Sequence, residues 1–219
     1  LRYLGLALIA EGPSDRRFLP PVLYRLTEEL CLAHARSTIE VGAVVSLDPS
    51  SMEGANFTKK VVAAAGEASG TYHVLFLHTD GGGDYATALR ARFEPWKAGL
   101  AGLRHADERE VAVVPVREME AWTLADGDAL RGAFGTSLGD SALGLPSRPA
   151  DVERIPDPRA VLRRAYERVF NPRRPRSSVG GTLEAIAERV RLDRLRQVPA
   201  FARLEADLRT VLGELHYLA

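Results

Sequence analysis

The chain has 219 residues with 29 Lys and Arg against 29 Asp and Glu, a formal net charge of zero. That length holds one large domain, or one domain with a small appendage, and the neutral total by itself says nothing about a polyanionic partner. A single cysteine, Cys31, excludes an intramolecular disulfide and a cysteine-based zinc site, and the five scattered histidines form no HxxxH pair, which argues against a zinc enzyme. The opening LRYLGLALIA is too short to span a bilayer and lacks a signal-peptide cleavage pattern, so the expectation is a cytoplasmic protein without membrane association.

Residues 3–10 form an apolar run of the kind a strand buried on both faces requires. Gly12-Pro13-Ser14 breaks it, and Ser14 is placed to cap a helix from about Asp15 to Ala35, with Phe18, Leu19, Val22, Leu23, Leu26 and Leu30 on its inner face. Residues 39–47 read as a second strand, and a helix follows over about Asn56–Ala68. Tyr72–His78 is the clearest buried strand, and the glycine-rich TDGGGD turn leads from it into a helix over about Tyr85–Leu103. Val111–Val116 is a fourth strand, and a helix begins at Glu118 and runs to Ala125. This alternation predicts an α/β fold: a Rossmann-like, mostly parallel sheet flanked by helices, occupying residues 1–135.

Residues 136–157 are rich in Gly, Pro, Ser and Asp and read as a linker or long loop. Residues 158–219 read as a basic helical extension packing on the first domain, with helices over 158–170, 182–193 and 199–217. The exposed NPRRPRSS run separates the first two. Residues 1–150 hold 15 basic and 19 acidic side chains, whereas residues 151–219 hold 14 and 10. An acidic body beside a basic tail fits a protein that holds metal in one part and touches phosphate in the other; a solvated helical surface gives the same tally.

The chemistry-bearing residues cluster where strands are expected to end. In an open α/β sheet such residues converge on one crevice at the carboxyl ends of the strands. Glu11 follows the first strand, Asp80 and Asp84 bracket Gly81, Gly82 and Gly83 after the third, and Glu118 and Glu120 follow the fourth. Gathered carboxylates repel one another unless a cation neutralises them, and with oxygen ligands that cation is Mg²⁺ or Mn²⁺. Asp80 is the favoured ligand. Asp84 is equally an N-cap for the following helix, and the glycine amides are candidates to hold a phosphate or a bound cofactor at that helix start. Glu118 and Glu120 stand about 200° apart on one helix, so only one of them faces the crevice unless the helix starts late. Arg16, Arg17 and Arg117 lie near the crevice loops, and Arg163, Arg164, Arg173, Arg174 and Arg176 form the basic stretch best suited to a nucleic-acid backbone.

Taken together, EGPSDRRFL, TDGGGD and REMEAWTLAD resemble the TOPRIM fold of topoisomerases, primases and OLD-type nucleases. More narrowly they resemble a set of bacterial TOPRIM-like proteins encoded beside an ABC/AAA-type ATPase in defence or mobile-element loci, and the likeness extends into the helical tail. The resemblance implies a Mg²⁺- or Mn²⁺-dependent nuclease acting on DNA or RNA, with an ATPase partner and a role in anti-phage defence. It assigns Glu11 as general acid/base and Asp80 as first metal-binding aspartate. The usual Asp-x-Asp pattern is broken by Gly82, which leaves Asp84, Glu118 or Glu120 to complete the site. Without such completion the chain would be a catalytically silent subunit docking on its ATPase. A nucleotide-binding regulator without hydrolysis is a third option, and self-association is compatible with all three.

Overall fold

The computed structural model describes residues 1–49, 56–170 and 179–219. Four strands, β1 (Arg2–Ile9), β2 (Ile39–Leu47), β3 (Val74–His78) and β4 (Arg109–Val113), pair in the order β2-β1-β3-β4, every pair parallel. Helix α1 (Asp15–His34) connects β1 to β2, α2 (Phe57–Glu67) connects β2 to β3, and α3 (Tyr85–Ala88) with α4 (Glu94–Leu100) connects β3 to β4. From β1 the chain steps outward to β2 and then crosses back to β3. Right-handed crossovers in opposite directions place α1 and α2 on opposite faces of the sheet.

The alternation of side chains along β1 serves both faces. Leu4, Leu6, Leu8 and Ala10 meet Phe18, Leu19, Val22 and Leu23 of α1 on one side, while Ala7 and Ile9 meet Val61 and Ala65 of α2 and Trp96 of α4 on the other. Because neither face of β1 or β3 is wet, these strands read as continuous apolar runs rather than alternating ones, whereas the edge strand β2 is partly exposed. The α/β class and the helical flanks match the expectation from sequence.

Past β4 come α5 (Glu120–Thr123), α6 (Gly127–Phe134), α7 (Asp140–Leu143), a 3₁₀ segment (Pro149–Arg154), α8 (Pro158–Val169), α9 (Val179–Arg189), α10 (Leu192–Leu195) and α11 (Pro199–Glu214). These helices share the α1-side core: Leu162, Ile186, Phe201 and Leu208 are buried in the same cluster as Leu6 and Phe76. Trp122 stands edge-to-face on Phe201 at 5.2 Å, tying the end of β4 to the last helix. The stretch 136–157, expected as a linker or loop, carries α7 and the 3₁₀ segment and buries Leu143, Leu145 and Val152 in that core. Its Gly and Pro residues punctuate short turns rather than free the chain. The helix expected over 85–103 is interrupted by a π turn at Leu89–Phe93, and that expected over 182–193 divides into α9 and α10.

One buried carboxylate fastens the tail to the body. Asp126 caps α6 by accepting from the Asp128 amide at 3.1 Å, and it also accepts from the Arg191 amide, Nε and Nη2, each at 3.0 Å. Burial works to raise its pKa, but the Arg191 contacts outweigh burial and hold it below the usual carboxylate value. Removing the carboxylate strands two backbone donors as well as the guanidinium. Asp126→Ala is therefore expected to lower unfolding free energy by about 2–4 kcal/mol. Asp128→Ala, which removes an exposed partner of the same Arg191, should cost about 0.5 kcal/mol. Urea denaturation of the two variants beside the wild type measures both.

Candidate active site at the carboxyl ends of the strands

The neighbours β1 and β3 send their following chains to opposite sides of the sheet, so a crevice opens between their carboxyl ends. Glu11 and Asp80 flank it. Glu11 accepts from the Thr79 hydroxyl at 2.7 Å and pairs with Arg92 at 3.2 Å. Asp80 accepts from the Met119 amide at 3.2 Å, which ties the β3 loop to the chain leaving β4. Gly12, after β1, donates its amide to Asp15 at 2.8 Å, and Asp15 lies buried at the first turn of α1.

Beneath these acids lies His78, the last residue of β3, 1% exposed. Its Nδ1 pairs with the Val113 carbonyl at 2.9 Å. Its Nε2 stands 3.5 Å from Asp15 and 3.6 Å from Asp80, facing both carboxylates. Burial disfavours the charged ring, but Asp15 first and then Asp80 and the Val113 carbonyl outweigh it, so its pKa lies above the ordinary histidine value. Burial likewise acts to raise Asp15, and the His78 ring together with the Gly12 amide brings it below the usual carboxylate range. Asp80 goes the other way. Burial pushes it up to about 6, partly offset by His78 and reinforced by the charges of Asp15, Glu120 and Glu11. Carboxylates from three strand ends thus act on one another.

The third strand end contributes through a helix that starts late. α5 begins only at Glu120, leaving Glu118 in the preceding loop, so the two acids are not fixed on opposite sides of one helix. Arg159 reaches both, Nε to Glu120 at 3.0 Å and Nη2 to Glu118 at 3.8 Å. Asp157, which caps α8 by accepting from the Ala160 amide at 2.7 Å, and Pro158 at its first position fix where that helix begins. Arg159 is thereby carried over the acids. Each of Glu118 and Glu120 keeps its Oε2 buried without a hydrogen-bond partner.

The glycine triplet has a steric cause. A Cβ on Gly81 would lie 2.4 Å from the Pro115 carbonyl oxygen, and Gly82 and Gly83 adopt φ of +60° and +103°. The amides of Gly81, Gly82 and Gly83 donate to the carbonyls of Pro115, Arg117 and Val116. They join the β3 and β4 loops and are turned away from a phosphate at the helix start. Asp84 is the N-cap of α3, accepting from the Ala86 and Thr87 amides at 3.0 and 3.2 Å and from the Thr87 hydroxyl at 2.6 Å. The Thr87 hydroxyl first, then the amides, hold its pKa below the usual value. It is exposed and outside the acidic cluster.

Arg117 lies beside Gly83 with its Nε buried and unpartnered. Arg16 is engaged with Asp48 at 3.2 Å, and Arg17 is exposed. Arg163 and Arg164 are exposed on α8; Arg173, Arg174 and Arg176 fall outside the described residues. The sequence reading overlooked Asp15, His78, Thr79, Arg92 and Arg159. A histidine closing an apolar strand two residues before an aspartate was the one local signal available.

Glu11, Asp80, Glu118 and Glu120 offer hard oxygen donors of the kind Mg²⁺ and Mn²⁺ take, and the orphaned oxygens of Glu118 and Glu120 are acceptors in want of a cation. The donor chemistry fits. Among the described residues no three acidic, histidine or cysteine side chains are grouped to enclose an ion, so holding one requires these side chains to close up.

The family described as a domain of unknown function (DUF4276) matches residues 10–209. The chain belongs to this family. No curated protein and no solved structure matches it. The DUF4276 match takes in every acid of the crevice, from Glu11 to Glu120, and also Arg159. No helix among the described residues is long and apolar enough to cross a membrane.

Asp80 gives the site a pH signature. It titrates near 6 in the fold against a reference of 3.8, so between those values the folded state binds more protons than the unfolded one. The stability this group contributes at low pH is lost as pH rises through 6. Asp80→Asn, permanently neutral, is expected to be more stable than wild type by about 2–3 kcal/mol at pH 8. The advantage should shrink as pH falls toward 4. Chemical denaturation of both proteins across that range tests it.

Proposed function

We propose that this chain hydrolyses phosphodiester bonds in nucleic acid with the help of a divalent cation. The observation that carries the reading is that Glu11, Asp80 and Glu120, from three strand ends, face one crevice, where burial pushes the Asp80 carboxyl up to about 6 and the charges of Asp15, Glu120 and Glu11 add to the rise. Such crowding is unfavourable for folding, and a site that retains it has a use for negative charge. Arg92 and Arg159, paired with its carboxylates, put two guanidinium groups at its rim, the group that forks onto a phosphate.

On this reading Arg92 and Arg159 release their carboxylates and bind the non-bridging oxygens of the scissile phosphate. Glu11, steadied by the Thr79 hydroxyl, accepts the proton of the attacking water as the new P–O bond forms, and the leaving oxygen departs with a proton from solvent. Asp80, anchored on the Met119 amide, with Glu118 and Glu120, would hold Mg²⁺ or Mn²⁺. The ion supplies charge neutralisation at phosphorus and a more acidic water. His78, which also faces Asp15, lies against Asp80 from below. Coupling to an ATPase and a role in defence rest on the resemblance of EGPSDRRFL, TDGGGD and REMEAWTLAD alone.

A second reading is favoured by the ion pairs themselves. Arg92 and Arg159 already countercharge Glu11, Glu118 and Glu120, as a catalytically silent subunit needs for stability. Incubation of the purified chain with Mn²⁺ and plasmid, single-stranded DNA or tRNA separates the two. Cleavage is expected, reduced at least about 100-fold in Glu11→Gln and Asp80→Asn and retained in Asp84→Asn. Cleavage that survives Glu11→Gln and Asp80→Asn, or none with any divalent ion either alone or with an added ATPase partner, would sink the proposal. Activity that emerges only with an added ATPase partner supports a nuclease silenced until docking.

A further inference from the structure

Beside the acidic crevice lies a cavity of about 320 Å³ that the reaction outlined above does not use. It sits between α8, the first turn of α9 and the start of α1. Leu162, Val179 and Leu183 form its apolar walls, and Arg159 and Arg163 stand at its rim. Ser14 and Glu120 border it on the side of the crevice. Arg159 and Glu120 are therefore shared between the two spaces.

We infer that this cavity is a base-binding subsite, which receives one unstacked nucleotide base next to the phosphate held in the crevice. The inference rests on the reading of the crevice as a phosphodiester site and adds a substrate class to it. The volume is at the lower end of the range of about 300–1,000 Å³ typical of small-ligand sites, enough for a base and part of its sugar and too small for a stacked base pair. Half-exposed Val179 offers an aliphatic surface to a flat ring, with the buried Leu162 and Leu183 behind it, while Gly180 brings backbone to the cavity without a side chain to obstruct it.

The arginines add the second element. Arg159 and Arg163 are four residues apart on α8 and lie on one face of it. Their guanidinium planes can stack on a base or fork a phosphate. Arg159 already spans from this rim to Glu118 and Glu120. A nucleotide whose phosphate lies against Arg159 thus has its base within reach of the Leu162–Val179–Leu183 wall. Ser14 and Glu120 supply polar groups at the crevice side, where the edge of a base or a sugar hydroxyl would come.

A duplex offers no such base unless one is extruded, so the geometry selects single-stranded or unpaired nucleic acid. Double-stranded DNA would meet the rim arginines through its phosphates alone.

Calorimetry in EDTA, where no turnover occurs, tests the subsite apart from the chemistry. The probes are AMP, GMP, CMP and UMP, with ribose 5-phosphate as the base-less reference. At least one mononucleotide is expected to bind about tenfold more tightly than ribose 5-phosphate, within what a single stacked base contributes. Val179→Trp, a change at the half-exposed rim of the cavity, should abolish that increment and leave ribose 5-phosphate binding unchanged. Arg163→Gln should weaken the mononucleotide several-fold. Mononucleotides no tighter than ribose 5-phosphate, or an increment that survives Val179→Trp, would overturn the subsite even if the chain cleaves nucleic acid. A base-dependent increment in a chain that cleaves nothing with any divalent ion would uphold the subsite while the hydrolytic reading fails.

Discussion

A fully buried imidazole between two carboxylates is the interaction on which the crevice is built. His78 ends the central strand β3, and its Nε2 lies within 3.6 Å of both Asp15 and Asp80. An isolated buried carboxylate is strongly disfavoured, and three strand ends converging at a switch point multiply that penalty. The ring compensates both acids from inside the fold, with the Gly12 amide added at Asp15 and the Met119 amide at Asp80: Asp15 is brought below the usual carboxylate range, whereas burial leaves Asp80 near 6. The Val113 carbonyl fixes the other ring nitrogen, so the countercharge has a fixed position, set by the sheet and independent of any loop.

The outer acids are compensated from farther along the chain. Glu11 is paired from the π turn that precedes α4, and Glu118 and Glu120 from α8. This makes the helical tail part of the crevice rather than an appendage to it. Its position is in turn secured by Asp126 and Arg191 and by Trp122 against Phe201. A disturbance of the tail would therefore reach the site through Arg159. The surplus of acid in the first 150 residues and of base in the rest has one concrete expression here, an acidic crevice faced by an arginine on a helix of the basic segment.

The strand ends were legible because a strand buried on both faces has to be apolar throughout, and an acid placed directly after it has nowhere to go but the crevice. Glu11 and Asp80 follow that rule. The triplet Gly81-Gly82-Gly83 was misleading because glycine marks a need for space or for positive φ without saying which neighbour creates it. The neighbour is the Pro115–Arg117 backbone, brought close only by the pairing of β3 with β4. The same limit hid Arg92 and Arg159, whose partners are 81 and 39 residues away in sequence. Glu118 and Glu120 depended on a shift of helix start by two residues, which periodicity does not resolve. His78 was concealed by its setting, a polar residue at the end of a run whose other members are all core.

The resting ion pairs carry a thermodynamic consequence for the proposed activity. A phosphate that draws Arg92 and Arg159 toward itself withdraws countercharge from Glu11, Glu118 and Glu120, and the uncovered carboxylates then bind a cation more tightly. By linkage, a cation that satisfies those carboxylates frees both arginines for phosphate, and the two effects are equal in free energy. In the fold itself Arg92 and Arg159 pair with Glu11, Glu118 and Glu120 and offset their charge. On the proposed activity, substrate and ion would thus assemble the site together, each replacing a salt bridge that the fold uses to tolerate its own charge.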